Sequence, residues 1–311
     1  MHSLRIALDW TPNVNHIGLF VAKELGFYQE IDIDLTLVSP QDDDYQTTPG
    51  KKLEFRTVDM AIAPFETVIS LQNKENKVDA LAIYALLQED ISSIATLTTT
   101  GIHRPKDLDG KLYASYKARY EDHIVQQLIK NDGGKGEMKI AYPEKLGIWN
   151  TLLEGNADAT WIFDNWEGVE ALHKGIDLTT FSLANFDIPY GYSPVILTTQ
   201  QQLDANPAIY TQFVTATQKG YQFCIENKEK AAAILHPFLT VYDQQNVPLL
   251  LALEKTIPYF GSGKMKPERV QAFLNWLVTN NLENEIILTQ RLFTNELLEK
   301  YYFSNSSFRF S

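Results

Sequence analysis

The chain begins with a regular alternation of apolar runs and amphipathic segments. Residues 4–8 form a short apolar run of strand length, and residues 17–25 place apolar side chains at helical spacing before Gly26. Residues 31–38 alternate apolar and polar side chains, which predicts a half-buried strand. Elements of the same two kinds follow: strands at 58–63 and 78–86 and a helix at 68–74. This order predicts an α/β fold with mainly parallel strands.

The pattern changes near residue 98 and again near residue 197. The segment between these points repeats the alternation, with helices at 121–131, 144–154 and 166–173 and strands at 112–114, 138–141 and 159–163. The chain after residue 205 is mostly helical, at 207–226, 228–235, 243–256, 267–279 and 283–289. We therefore predict a discontinuous first lobe of residues 1–98 and 198–311 and a second lobe of residues 99–197. The turns that follow the strands of both lobes would face one cleft.

Composition limits the size of the core and the kinds of molecule that the protein is expected to bind. The 311 residues exceed the usual size of one domain, and a hydrophobic content of 44% allows a large core in both lobes. A formal net charge of −12 argues against nucleic acid or an anionic membrane as the main partner. The one cysteine, Cys224, lies in an apolar helical run and is expected to be a buried small side chain. No apolar run is long enough to predict a membrane-spanning helix.

The first residues bear on the cellular compartment in which the protein is expected. The chain passes directly into its first predicted strand, without a positively charged leader that has an apolar centre. The expected location depends on the true start of the protein. It is periplasmic, or membrane-anchored outside the cytoplasm, if a leader has been removed, and cytoplasmic if residue 1 is the native start.

The turn after the first strand combines side chains that suit a planar ligand. In open α/β sheets, ligands bind where a strand ends and a helix begins. Trp10 offers a flat apolar face, and Asn13 and Asn15 offer hydrogen-bond donors and acceptors, which together suit a heterocycle with ring nitrogens. For His16, a hydrogen bond to the backbone at the helix start explains the residue as well as ligand contact does.

Similar clusters follow other predicted strands. The candidate ligand-binding residues in them are Glu66, Tyr116, Arg119, Asp164, Trp166, Tyr190 and Tyr192. Each also has a structural explanation, since Asp164 suits a helix N-cap, Glu66 suits a helix N-terminus and Trp166 suits a core. The recurrence of such clusters at strand ends favours a binding site. Aromatic side chains would sandwich an aminopyrimidine-like ring, and a carboxylate would accept hydrogen bonds from its N–H groups.

Common catalytic motifs are absent from the sequence. It has no G-x-S-x-G, no G-x-x-x-x-G-K-[ST] and no H-E-x-x-H. Residues 261–264, Gly-Ser-Gly-Lys, lack the spacing of a phosphate-binding loop, and the six histidines show no metal-ligand spacing. We therefore predict no catalytic residue, no metal site and no cofactor.

Several segments resemble one known superfamily. Residues 7–16 are Ala-Leu-Asp-Trp-Thr-Pro-Asn-Val-Asn-His, followed by Gly-Leu-Phe-Val-Ala at 18–22. Supporting segments lie at 58–62, 105–111, 153–159 and 161–168. Together they resemble the superfamily that includes periplasmic binding proteins for thiamine pyrimidine precursors and the yeast-type pyrimidine synthase of thiamine biosynthesis. The resemblance covers roughly residues 4–260 and implies a type II periplasmic-binding-protein fold, in which two α/β lobes close on a ligand by a hinge.

The superfamily that the chain resembles has two functional branches. One branch binds a formylaminopyrimidine or hydroxymethylpyrimidine and delivers it to the permease of an ABC transporter. The other is an enzyme that builds the pyrimidine phosphate from one of its own histidines and pyridoxal phosphate, with iron. This chain departs from the enzyme, because Ala63 and Thr67 stand where gapless matching places its lysine and histidine. Residues 189–195 also lack its cysteine run, and residues 115–121 lack the glycines of its phosphate turn.

The resemblance therefore favours a solute-binding protein without catalytic residues, whose ligand is a thiamine-precursor pyrimidine. The alternatives are a cytoplasmic synthase-like enzyme and a binder of another small solute, such as a nitrogenous base or a sulfonate. We expect Trp10 to stack on the ring, with Tyr190 or Trp166 on its other face. Tyr116 and Tyr192 would close the cleft from the second lobe.

The polar candidates have more specific expected roles. Asn13 would hydrogen-bond to a ring nitrogen or to the amine of the ligand, and Glu66 or Asp164 would receive the amino group. Arg119 and Lys117 would reach an anionic group by their side chains. The carboxylates themselves argue against an anionic ligand, because a desolvated carboxylate repels it.

Overall fold

A computed structural model of the chain describes residues 1–143 and 148–298. The strands form two five-stranded sheets. In chain order they are β1 (His2–Ala7), β2 (Ile33–Val38), β3 (Met60–Ala63), β4 (Ala80–Ala85), β5 (Ser92–Leu97), β6 (Leu112–Ala114), β7 (Lys139–Ala141), β8 (Ala159–Phe163), β9 (Leu178–Ser182) and β10 (Val195–Thr199).

Helices lie between the strands and fill most of the chain after β10. They are α1 (Ile17–Glu24), α2 (Pro49–Glu54), α3 (Glu66–Gln72), α4 (Glu121–Asn131), α5 (Ile148–Leu153), α6 (Glu167–Lys174), α7 (Gln200–Ala205), α8 (Pro207–Glu226), α9 (Lys228–Leu235), α10 (Val241–Asn246), α11 (Leu249–Thr256) and α12 (Pro267–Thr279). No helix within the described ranges is long and apolar enough to cross a membrane.

Three helix predictions differ from the structure or extend beyond its described part. The helix predicted at 243–256 is two helices, α10 and α11, because Pro248 has no backbone N–H to continue the first one. The segment predicted as a helix at 283–289 forms a short 3-10 helix at Glu285–Thr289. Of the helix predicted at 144–154, residues 144–147 lie outside the described residues, and so do residues 299–311 of the predicted first lobe.

Each sheet is mainly parallel and contains one strand that runs against its neighbours. The first sheet has the order β2-β1-β3-β10-β4, with β10 antiparallel to both β3 and β4. The second has the order β7-β6-β8-β5-β9, with β5 antiparallel to both β8 and β9. We call the parts built on these sheets the first and second lobes. The predicted two-lobe α/β architecture is confirmed.

The sheet to which β5 and β10 belong shows where the chain crosses from one lobe to the other. β5 pairs in the second sheet although it precedes residue 98, and β10 pairs in the first sheet although it begins before residue 198. The chain therefore changes sheet within residues 86–91 and returns within residues 183–194. Strand pairing favours lobe boundaries within these two crossovers over boundaries at 98 and 197.

The core of the first lobe depends on a close contact between α1 and α8. A β-carbon at Gly220 would lie 2.0 Å from the carbonyl oxygen of Gly18, so the two helices meet where both residues are glycine. Cys224, one turn further along α8, is buried as predicted, and burial raises the pKa of its thiol. The α1–α8 contact fixes α1 behind the turn that precedes it.

Helix α12 lies beside both crossovers. The Arg269 guanidinium donates to the carbonyl oxygen of Gln88 at 3.1 Å and to that of Gly191 at 3.4 Å. Phe273 contacts Tyr190 edge-on, with ring centroids 5.6 Å apart. One helix thus ties together the two segments that connect the lobes.

Candidate ligand-binding cleft

A cleft of about 860 Å³ lies between the two lobes. Its walls are the turns that follow β1, β3, β6 and β8, the segment that leads from β2 through α2, and the second crossover. These turns stand at the carboxyl ends of parallel strands, where α/β sheets bind ligands. Of the predicted site residues, the following line the cleft: Trp10, Asn13, Asn15, Glu66, Tyr116, Arg119, Trp166 and Tyr190.

A second cavity, of about 810 Å³, lies at the opposite end of the first sheet. Arg56 and Asp59 supply charge there, but Arg56 donates to the Gln201 side chain at 2.9 Å and Asp59 accepts from the Arg5 backbone N–H at 2.7 Å. The cavity lacks the buried carboxylates found between the lobes. The interlobe cleft is therefore the stronger candidate for a binding site.

Aromatic rings line the cleft from both lobes. Trp10 of the first lobe meets Tyr116 of the second edge-on, with ring centroids 6.2 Å apart, and Tyr45 contacts Trp10 in the same way at 6.0 Å. Trp161 and Tyr190 form another pair at 5.3 Å. Tyr45 and Trp161 were not predicted as site residues. Tyr45 lies in a polar loop with no sequence signal, whereas Trp161 lies in the middle of β8, whose following turn was singled out.

The side chain of Asn13 is engaged with its own turn. Its Oδ1 accepts from the Asn15 backbone N–H at 2.9 Å, and its Nδ2 donates to the Thr11 carbonyl oxygen at 3.1 Å. Asn13 thereby caps the short 3-10 helix Val14–His16. The residue lines the cleft, but its amide orders the turn, and the expected bond to a ligand ring nitrogen competes with these contacts.

His16 does not line the cleft, so it does not make the ligand contact considered for it, and it hydrogen-bonds to the backbone at the helix start instead. Its ring is completely buried, and Nδ1 accepts from the Asn13 backbone N–H at 3.3 Å. The proton must therefore lie on Nε2, which donates to Oδ1 of Asp9 at 2.7 Å. The structure brings Asp9 to the cleft in its place. The sequence feature that could have indicated Asp9 is its position as a carboxylate two residues after the end of β1.

Asn15 links the two lobes. Its Oδ1 accepts from Nδ2 of Asn165 at 2.8 Å, and Asn165 also donates to the Thr256 hydroxyl at 2.8 Å. The Asn15 carbonyl oxygen accepts from the Tyr221 hydroxyl at 2.6 Å. Asn165 is fully buried, so the turn after β8 in the second lobe is anchored on the first lobe beside the cleft. Trp166, the next residue, packs into the first-lobe core and also lines the cleft.

Asp164 and Tyr192 also fall outside the cleft lining. Asp164 accepts from the Ser93 hydroxyl at 2.7 Å, and burial raises its pKa. Helix α6 has Trp166 at its N-cap, so Asp164 is not the cap either. The Tyr192 hydroxyl accepts from the Lys266 backbone N–H at 2.9 Å, and the Arg269 guanidinium lies 4.8 Å from its ring. Both side chains are engaged next to the crossovers instead.

Glu66 is a buried carboxyl group in the cleft wall. It begins α3, is 4% exposed, and accepts from the Tyr190 hydroxyl at 3.0 Å. Burial raises the pKa of Glu66 to about 7, and the nearby Glu121 adds to this effect. Near neutral pH this side chain is therefore divided between its acid and its carboxylate.

Two further carboxyl groups line the cleft from the second lobe. Glu121 begins α4 and accepts three hydrogen bonds, from the Tyr113 hydroxyl and from the backbone N–H groups of Tyr116 and Ala118. Glu167 begins α6 and accepts from the Phe163 backbone N–H at 2.9 Å, while burial raises its pKa to about 7. Neither was predicted, although both stand at the first helical position after a turn already singled out.

The cationic side chains of the cleft are paired. Arg119 forms an ion pair with Glu283, and Lys51 and Lys74 both pair with Glu54. Within residues 1–143 and 148–298, no group of three or more acidic, histidine or cysteine side chains is arranged to hold a metal ion. The cleft thus offers aromatic rings and acidic acceptors, which suit a flat ligand with N–H donors and disfavour an anion.

Two α/β lobes joined by two crossovers around such a cleft define the periplasmic-binding-protein fold. The same fold is found in the periplasmic nitrate-binding protein NrtA of Synechocystis PCC 6803, with a TM-score of 0.73 at 12% identity. That match covers 98% of this chain and 89% of the nitrate-binding protein. At this identity the likeness concerns the fold.

Residues 13–231 match the family described as NMT1/THI5 like, and the chain belongs to that family. It is 23% identical over 256 residues to the formylaminopyrimidine-binding protein of Halalkalibacterium halodurans, covering 82% of this chain and 75% of that protein. It is also 23% identical over 278 residues to the 4-amino-5-hydroxymethyl-2-methylpyrimidine phosphate synthase of Legionella pneumophila, covering 85% and 82%. The family therefore relates this chain to thiamine pyrimidine binding or synthesis.

Proposed function

We propose that the protein is a solute-binding protein for a thiamine-precursor pyrimidine, of the formylaminopyrimidine or hydroxymethylpyrimidine type. The main support is the interlobe cleft, where buried carboxyl groups stand beside aromatic rings. An aminopyrimidine presents two apolar faces to aromatic side chains and N–H donors at its edge to carboxyl oxygens. The similarity to a formylaminopyrimidine-binding protein supports the same ligand class.

Roles within the site follow from the contacts. Trp10 stacks on one face of the ring, and Tyr190 or Trp166 covers the other. Glu66 receives the amino group, since Asp164 is turned toward Ser93. Tyr116 closes the cleft from the second lobe, where it already meets Trp10. Asn13 and Asn15 hold the turn that presents Trp10.

Isothermal titration calorimetry with formylaminopyrimidine and with 4-amino-5-hydroxymethyl-2-methylpyrimidine tests this proposal. We expect saturable 1:1 binding of at least one of them, and Trp10→Ala should weaken it about 10- to 30-fold through loss of stacking area. The exposed Phe55, outside the cleft lining, supplies the control variant Phe55→Ala, which should bind as the wild type does. Absence of heat with both pyrimidines, while an unrelated solute binds, would refute the proposal.

A synthase-like enzyme is the second candidate, because a relative at 23% identity is a pyrimidine phosphate synthase. Ala63 and Thr67, the positions matched to the synthase lysine and histidine, both line the cleft, and neither side chain supplies an amine or an imidazole. Incubation with pyridoxal phosphate and iron, followed by intact-mass measurement, separates the two functions. The enzyme would lose the mass of a histidine side-chain fragment, and the binding protein would keep its mass.

The proposed function implies a partner and a location. A binding protein of this fold delivers its solute to the permease of an ABC transporter, so we propose such a permease as the partner and a site of action outside the cytoplasm. The two lobes would close on the pyrimidine by bending at residues 86–91 and 183–194. No cofactor is required for this role.

A further inference from the structure

Glu66 and Glu121 form an unequal pair of acids in the cleft. Glu121 accepts three hydrogen bonds, two of them from backbone N–H groups, which can only donate. Burial raises the pKa of Glu121, but these contacts favour its ionised form and offset part of that effect. Within the described part of the chain, the one side chain that hydrogen-bonds to the carboxyl group of Glu66 is Tyr190. When two nearby acids share one site, the less solvated of them holds the proton, and here that is Glu66.

The other charged groups around Glu66 do not reverse this order. Arg119 attracts the carboxylate form of Glu66 weakly, because its guanidinium is paired with Glu283. Tyr190 stays a neutral phenol, since its burial together with the charges of Glu66 and Asp90 raises its pKa. From the other turns, the carboxyl groups of Asp9 and Glu167 line the same cleft, and burial raises the pKa of Glu167 to about 7 as it does that of Glu66, so neither group adds a cation that would favour the carboxylate form of Glu66.

We propose that Glu66 is the specificity-determining residue of the site and that it binds the pyrimidine as a neutral carboxylic acid. Its O–H donates to a ring nitrogen, while its carbonyl oxygen accepts from the adjacent exocyclic amine. An ionised carboxylate would instead place its lone pairs against those of the ring nitrogen. This inference rests on the proposed function, because it assumes an aminopyrimidine as the ligand.

The acid form makes binding depend on one proton. Below about pH 7, the value to which burial raises the pKa of Glu66, the proton is already present on the free protein, and affinity stays constant down to the pH at which the free pyrimidine takes up a proton of its own. Above it, the complex must take up a proton from solution, so the dissociation constant rises about tenfold per pH unit. If the proton moves from Glu66 to the ring nitrogen within the complex, the number of protons bound to the complex stays the same. The pH dependence of the dissociation constant is therefore unchanged.

Calorimetric titrations with 4-amino-5-hydroxymethyl-2-methylpyrimidine from about pH 5.5 to about pH 8.5 test the proposal, using the wild type, Glu66→Gln and Glu75→Gln. A glutamine amide has the same donor-and-acceptor pair as a carboxylic acid and does not titrate. We expect Glu66→Gln to keep the neutral-pH affinity within about threefold and to lose the alkaline decline. Glu75 is exposed and outside the cleft lining, so Glu75→Gln should behave as the wild type does.

Two outcomes overturn the inference and leave the proposed function intact. One is a wild-type affinity that stays constant or strengthens between about pH 7 and about pH 8.5. The other is a loss of affinity of about 30-fold or more in a folded Glu66→Gln variant, which would show that the ionised carboxylate binds the ligand. Circular dichroism establishes that the variant is folded. Absence of pyrimidine binding at every pH would instead refute the proposed function itself.

Discussion

Two polar side chains of the turn after β1 and the buried carboxyl group of Glu66 in the cleft find their hydrogen-bond partners in opposite ways. In residues 9–16, Asn13 and His16 hydrogen-bond within the turn, and their partners are at most 7 positions away. Glu66, by contrast, meets Tyr190, which lies 124 positions further along the chain. The contacts of Asn13 and His16 are made within the turn itself, whereas the contact of Glu66 forms only when the second crossover lies against the first lobe.

This difference shows which polar groups are left for a ligand. The donors and acceptors of Asn13 and His16 are already occupied by local hydrogen bonds. These side chains therefore fix the shape of the turn. A buried carboxyl group with few partners has been removed from water without full compensation, and it gains most when a ligand donates to it. A dense polar turn is therefore weaker evidence for ligand contact than a sparsely partnered buried acid.

The largest expected effect comes from removing the buried histidine of the turn. His16→Ala leaves a cavity and unpairs both the Asn13 N–H and the Asp9 carboxylate, so we expect the free energy of unfolding to fall by about 3–4 kcal/mol. Urea denaturation measures it. The exposed His103 supplies the control, and His103→Ala should change stability by less than about 0.5 kcal/mol. If the two substitutions cost the same, the turn is not held by His16.

Glu66→Gln tests how the buried carboxyl group of Glu66 affects the free energy of unfolding. The pKa of Glu66 rises from the ordinary 4.5 to about 7 on folding, so the unfolded chain releases this proton first. Wild-type stability is therefore highest at or below about pH 4.5 and falls as the pH rises to about 7. We expect the variant to match the wild type near pH 4.5 and to exceed it by about 2–3 kcal/mol near pH 8. A difference that does not vary with pH would contradict this account.

The smallest effect should come from Asn13. Asn13→Ala removes the cap on the Asn15 N–H and is expected to cost about 1 kcal/mol of unfolding free energy. Asn13→Asp keeps the oxygen that accepts from Asn15 but loses the Nδ2 donor to the Thr11 carbonyl oxygen, so it should recover only part of that loss. Pyrimidine affinity should fall less in Asn13→Ala than in Trp10→Ala. The reverse order would show that the Asn13 amide contacts the ligand directly.

Periodicity predicted most of the fold. The segments around β1, β2, β8 and α8 have clear patterns, and the structure contains each of them close to its predicted bounds. β5 was missed, because Ser92, Ser93 and Thr96 leave it neither an apolar run nor a regular alternation. β9 was also missed, because its threonines and exposed positions leave little alternation.

The candidate site was predicted in part. Strand-end turns correctly indicated where Trp10, Glu66 and Tyr116 lie, since the carboxyl ends of parallel strands meet at one edge. The direction of a side chain within a turn is decided by its partners. His16 turns inward to Asp9, and Asp164 turns toward Ser93, a residue that is remote in the sequence.

The sequence by itself determined the strand–helix alternation, the two-lobe architecture and the strand-end turns, because these depend on local periodicity and on the turn residues. It also determined the family, through the opening motif after β1. The tertiary structure alone decided which carboxyl groups face the cleft and which of them is poorly solvated. That choice depends on burial and on partners from distant segments, such as Tyr190 for Glu66, which spacing along the chain does not specify.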